Sequence, residues 1–300
     1  MKIKIFLIIL IAVLSNVGFS RTPVFNKTRA FDYLKKQCTF GPRVPGSVGH
    51  QNCLKFFEQE LSRFAAKVSL QEFQYLLPGT MKNMRGVNVI AKFNPAAKRK
   101  VVLCAHWDTR PQSDMDEDKA KRTEPVMGAN DGASGVAVLL EIANHFKLNP
   151  PPYQVDIVLF DAEDAGLYQQ NDSWALGSKV YAQSLTMQNM PDFGILLDMI
   201  GDRNLEIYTE INSEIFASRL VKYVWKVAAQ LGISEFISQS QYQVQDDHLR
   251  VIEVGVPCID IIDFDYPYWH TTHDTPDKCS PESLAKVGQV VLEIIYRGEY

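Results

Sequence analysis

The chain has 300 residues, 46% of them hydrophobic and 22% charged, which is enough apolar material for one large core. Its 31 basic and 35 acidic side chains leave a net charge of −4 without a basic stripe, excluding nucleic acid as an expected partner. The 5 cysteines permit two disulfides and leave one thiol over.

At the start of the chain, Lys2 and Lys4 precede an apolar run from Ile5 to Leu14, and Gly18 and Ser20 come after it at leader-cleavage spacing. This is the pattern of a secretory signal peptide over 1–20, since the run is far shorter than the roughly 20 apolar residues a membrane-spanning helix needs. It predicts an exported protein, secreted or periplasmic, with no membrane anchor after cleavage. No linker or internal repeat divides the rest of the chain, which predicts one catalytic domain over 21–300.

Apolar residues recur at helical spacing over 31–34 and 51–64, around a loop punctuated by Gly41, Pro42, Pro45 and Gly46 and ending at the cap Ser47. Cys38 and Cys53 flank this loop and form the expected disulfide, whereas Cys104 falls inside an apolar strand and is expected as a buried thiol. Segments 68–75 and 86–93 alternate apolar with polar residues, as half-buried outer strands do. Four apolar runs, 101–105, 155–160, 193–197 and 257–262, read as buried central strands. Helical patterns over 135–146, 174–184, 214–231 and 281–296 separate or succeed them, the last opening at a Ser280-Pro281 cap. The alternation predicts an α/β fold: a single-domain, open, twisted, mixed β-sheet flanked by helices on both faces.

In such a sheet, ligands bind beyond the carboxyl ends of the central strands. There the sequence concentrates acids and histidines. The four runs lead into His106-Trp107-Asp108, Asp161-Ala162-Glu163-Asp164, Asp198 and, a little further on, Tyr268-Trp269-His270. Asp131 lies in the loop from Gly128 to Gly135, whose small residues let a bound group approach the backbone closely. Any one of these acids alone reads as a solvated loop residue or a helix cap; their convergence makes a site. Carboxylates with imidazole, and no cysteine at ligand spacing, suit a catalytic zinc with three protein ligands and one open position.

The motifs Phe40-Gly41-Pro42-Arg43-Val44-Pro45-Gly46-Ser47, His106-Trp107-Asp108-Thr109-Arg110-Pro111, Gly128 to Gly135, Asp161-Ala162-Glu163-Asp164, Ser173-Trp174-Ala175-Leu176-Gly177-Ser178, Leu197-Asp198-Met199-Ile200-Gly201, Asp246-Asp247-His248 and Trp269-His270-Thr271 stand in that order. Together they resemble the co-catalytic zinc aminopeptidase superfamily, and within it most resemble the glutaminyl cyclases, or glutaminyl-peptide cyclotransferases. The resemblance covers nearly the whole chain after the leader. It implies conversion of the N-terminal glutamine of peptides or proteins to pyroglutamate, with release of ammonia, on one zinc per chain. It also implies Asp131, Asp164 and His270 as the zinc ligands, Glu163 as the proton-transfer residue and Asp246 as its partner in a network with Asp198, which holds the substrate's α-amine. Animal cyclases carry Glu-Glu where this chain has Glu163-Asp164, so the backbone at Asp164 must sit closer to the metal.

Trp269, Tyr266 and Trp174 are the expected aromatic walls of the pocket, because excluding water favours ring closure. Trp107 is expected in the core. The stretch 114–124, dense in charges of both signs, reads as a mobile surface loop near the pocket mouth. The alternative on the same fold is a two-zinc aminopeptidase, with His106 and Asp198 on a second metal and Asp131 bridging. Trp269 before His270, the Asp246-Asp247 pair and the 173–178 motif favour the cyclase, in which His106 and Asp108 are supporting groups. A relative that has lost its chemistry is disfavoured, because every ligand and the base are present.

Overall fold

The computed structural model describes residues 22–300, so the leader pattern over 1–20 lies outside the described residues. Helix α1 (Lys27–Cys38) opens at Asn26, whose side chain accepts from the Arg29 amide, and α2 (Val48–Phe64) opens at Ser47, which accepts from the His50 amide. Strands β1 (Lys67–Leu76), β2 (Asn83–Phe93) and β3 (Lys100–His106) come next, then α3 (Ala133–Leu148), β4 (Gln154–Phe160), α4 (Leu176–Gln183) and β5 (Phe193–Asp198). The chain continues through β6 (Ile207–Thr209), α5 (Ile211–Gln230), β7 (Phe236–Ser240), α6 (Asp247–Glu253), β8 (Cys258–Ile262) and α7 (Pro281–Arg297).

The main sheet has the order β1-β2-β4-β3-β5-β8. Strands β4, β3, β5 and β8 are parallel, while β2 pairs antiparallel with both β1 and β4, giving the mixed sheet with an antiparallel edge that the alternating segments predict. Successive residues of β3 face opposite sides: Val101, Leu103 and Ala105 pack into the larger core with α1, α3, α5 and α7, and Val102 and Cys104 into a smaller core with Tyr181 and Val251. Covering on both faces is why β4, β5 and β8 are buried throughout and read as unbroken apolar runs. Helix α3 lies directly on the sheet, since a Cβ added at Gly135 would fall 2.1 Å from the Leu197 carbonyl oxygen.

The expected Cys38–Cys53 disulfide is not formed: both are free thiols, as are the other described cysteines. Because α2 already begins at Val48, Cys53 sits more than a turn inside it, fully buried against the core instead of at the loop margin. Burial pushes the Cys38 and Cys53 thiols up to about 11 and about 12. Cys104 is the buried strand thiol expected. Helix α5 starts earlier than its apolar periodicity because the Glu210 carboxylate caps it, accepting from the amides of Asn212 and Ser213.

Candidate active site

The site forms where the carboxyl ends of the parallel strands meet three irregular segments. After β4, Ala162 adopts a left-handed conformation (φ 58), which turns the chain so that Glu163 and Asp164 come directly after the strand end. The fully buried Asp108, just beyond β3, grips their backbone, one oxygen accepting from the Glu163 amide at 3.0 Å and the other from the Asp164 amide at 3.2 Å. Asp274 grips the loop before α3 in the same way, accepting from Asn130 at 2.8 Å and Asp131 at 3.1 Å. That loop is also held by the buried Arg43, whose guanidinium donates to the carbonyls of Trp107, Met127 and Gly128 at 2.9, 2.8 and 2.6 Å. Gly128 (φ 66) has no room for a side chain, since its Cβ would meet Thr109 Cγ2 at 2.2 Å.

Asp131, Asp164 and His270 converge, each offering an atom within 4.8 Å of the others. His270 Nε2 stands 3.1 Å from Asp164 Oδ1 and 3.6 Å from Asp131 Oδ2. The Oδ2 atoms of both acids are buried with no hydrogen-bond donor. Buried carboxylate oxygens without donors, facing an imidazole nitrogen, fit a divalent cation of the zinc type. His106, Asp131 and Asp198 form an adjoining set of the same kind, with His106 Nε2 at 3.0 Å from Asp131 and 3.1 Å from Asp198.

A cavity of about 240 Å³ opens onto Asp131, Asp164 and His270, and Glu163, Asp198 and Asp246 line it with them. Asp246 is the N-cap of α6 as well as a cavity wall, its side chain accepting from the Asp247 amide. Burial, with the charges of Asp164 and Asp246 beside it, pushes the Glu163 carboxyl well above the usual carboxylate range. Asp246 is raised to about 6 by burial and the charge of Asp198, and Asp131 to about 7 by burial and the charge of Asp164. Burial works the same way on Asp164, but the charge of His270 overcomes it and lowers that carboxyl. A bound cation would draw all of these acids toward their charged forms.

Trp269 stacks on the His270 ring at 4.0 Å, and Trp174 lies nearly parallel to that ring (6°) at 6.3 Å, and both line the cavity. Tyr266 does not line it. Its hydroxyl needs a partner once buried and finds Asp274 Oδ1 at 2.8 Å, so the ring is drawn beneath the Asp131 clamp, and Phe264 takes the wall position. Trp107 is fully buried in the core, its indole donating to the Val87 carbonyl at 3.2 Å. The 114–124 stretch is not a free loop, because the buried Asp116 accepts from both the amide and the hydroxyl of Thr272. Among the residues that sequence reasoning misses are Asp274, Arg43, Phe264 and Tyr168. Only a conspicuous His273-Asp274-Thr275-Pro276 turn and an arginine inside a Gly/Pro loop hint at the first two.

A profile of peptidase family M28 matches residues 88–295. The glutaminyl-peptide cyclotransferase of Bothrops jararaca is 28% identical over 85% of this chain and 78% of its own length. Among solved structures, Tannerella forsythia glutaminyl cyclase superposes with a TM-score of 0.87 at 41% identity, covering 91% of this chain and 99% of its own. A leucine aminopeptidase precursor from Bacteroides thetaiotaomicron superposes with a TM-score of 0.89 at 38% identity, covering 92% and 98%.

Proposed function

Because the chain belongs to peptidase family M28 and groups within it with the glutaminyl cyclases, we propose that it converts the N-terminal glutamine of peptides or proteins to pyroglutamate and releases ammonia. The observation that carries this reading is that Glu163, Asp198 and Asp246 open onto the same small cavity as Asp131, Asp164 and His270. Acids that do not ligate are what an internal transfer of a proton requires.

Asp131, Asp164 and His270 hold one zinc per chain in this proposal. When bound, zinc supplies Lewis-acid polarisation of the substrate's γ-carbonyl oxygen and stabilises the negative charge that grows there. Asp198 holds the α-amine over the side-chain amide carbon. Glu163 takes a proton from that nitrogen, which makes it nucleophilic, and returns the proton to the side-chain amide nitrogen as the new C–N bond forms and the old one breaks. Ammonia departs and no water is consumed. Asp246 disfavours charge on Glu163 and so favours its uptake of the proton from the α-amine. Trp174, Trp269 and Phe264 keep water from the reacting carbon. The leader pattern supports export, and the unbroken run of elements after it supports a single catalytic domain over 21–300.

The test is incubation of the zinc-loaded protein with a glutamine-led peptide, then ammonia assay, mass spectrometry and a metal count. The expected result is loss of one ammonia with every peptide bond intact and one zinc per chain. Release of a free N-terminal residue, with a second metal on His106, Asp131 and Asp198, would replace the proposal with the aminopeptidase reading.

A further inference from the structure

Three consecutive residues between β3 and α3 are bound to the turn that carries His270. Asp114 Oδ1 lies 3.5 Å from His270 Nδ1, the ring nitrogen that faces away from Asp131 and Asp164. The Met115 amide donates to the His270 carbonyl at 3.2 Å. Asp116 Oδ2 accepts from the Thr272 amide at 3.0 Å and from its hydroxyl at 2.6 Å. The segment is also tied to itself, since the Ser113 amide donates to the Glu124 carbonyl and Arg122 Nε to the Asp116 carbonyl, both at 2.7 Å. Arg110 completes the connection. It donates to Asp114 Oδ2 at 2.6 Å and to the carbonyls of Asp164 and Gly166 at 3.0 and 2.8 Å, while its guanidinium lies 4.6 Å over the Trp174 ring.

His270 needs such support. Its backbone is in the left-handed region (φ 55), which is strained for a residue with a Cβ and persists only when the surroundings impose it. A histidine ligand is also held in one tautomer and one orientation when its second nitrogen donates to a carboxylate. Here the Asp114 carboxylate faces that nitrogen as an ion-pair partner at 3.5 Å, and the half-exposed Tyr168 hydroxyl is its hydrogen-bond partner at 3.2 Å.

We propose that the 110–124 segment is a strap whose Asp114 and Asp116 position His270 for the metal without touching metal or substrate themselves. The inference rests on the zinc centre of the proposed function but not on the identity of the substrate. Asp114 fixes the ring, and Asp116 with the Met115 amide fixes the turn beneath it.

The test is zinc affinity measured on the metal-freed protein by competition with a chromophoric chelator, beside the thermal unfolding of the same metal-free samples. Asp114→Asn is expected to weaken zinc binding about 10- to 100-fold, the range seen when outer partners of metal ligands are lost, and Asp116→Ala by less, about 3- to 10-fold, because it acts on the turn and not on the ring. The metal-free proteins should still unfold cooperatively near the wild-type temperature. If Asp114→Asn or Asp116→Ala fails to fold, Thr272→Val decides, because it removes only the hydroxyl that Asp116 accepts. Zinc affinities within about twofold of wild type in folded variants would overturn the strap. Weakened zinc binding in a protein that cyclises no glutamine would uphold the strap and sink the substrate assignment.

Discussion

Glu163 is the side chain whose replacement separates chemistry from folding most cleanly. It is buried, and with no cation bound its surroundings disfavour the carboxylate, so a glutamine matches it in size and removes only an unfavourable charge. Glu163→Gln should therefore unfold at or above the wild-type temperature while kcat falls by about 100-fold or more, the usual worth of a positioned general acid–base group. Retained turnover would move proton transfer to another acid. At this scale the sequence is informative wherever a residue's chemistry differs from its neighbours': Glu163, Asp164 and Asp198 stand out as acids at the ends of apolar runs, Asp131 as the acid of a small-residue loop and His270 as an imidazole beyond the fourth run, and all of them reach one cavity. It is uninformative where two side chains of similar type face opposite ways. Phe264 and Tyr266 are both aromatic and two residues apart, and only the hydrogen bond from Tyr266 to Asp274 decides which one lines the cavity.

Elements place these side chains through close contact, and α3 illustrates how little slack there is. Gly135 brings that helix against the Leu197 carbonyl just before Asp198, so Gly135→Val must push α3 off β5. Urea unfolding should show a loss of about 1–3 kcal/mol or more, and zinc affinity should fall with it because Asp131 sits at the head of the same helix. A stability unchanged from wild type would mean that the helix has room to shift. The long periodic elements are legible because a covered sheet demands continuous apolar strands and a core-facing helix demands a stripe. Strands β6 and β7, three and five residues long, and α6, with seven residues, are too short to give a periodicity to read. The fixed course of 114–124 is hidden for a different reason. Charges of both signs look like solvent-facing residues until Asp116 is seen to serve the amide and hydroxyl of Thr272, far along the chain.

For the molecule as a whole, an acid away from the metal centre sets a pH dependence of stability. Burial, with the charge of Asp202 nearby, raises the Asp263 carboxyl to about 7, against about 4 in an unfolded chain. A raised acid is protonated more readily in the folded state, so its contribution is intact below about pH 4 and is lost as pH climbs through about 7. Asparagine cannot ionise and can still accept from the Glu206 amide, which now donates to Asp263 Oδ2 at 3.0 Å. The stabilisation by Asp263→Asn should therefore be about 2.5 kcal/mol larger at pH 8 than at pH 5 by chemical denaturation, and an equal effect at both would show that Asp263 ionises normally in the fold. The outermost strand has a different bearing on behaviour in concentrated solution. Among the described residues, β1 has a strand neighbour on one side only, leaving a ten-residue margin of amides and carbonyls on which another polypeptide could stack. Exposed Lys67, Glu72 and Gln74 along that margin make such stacking costly, so these surface residues serve to keep the protein dispersed although they lie outside its chemistry.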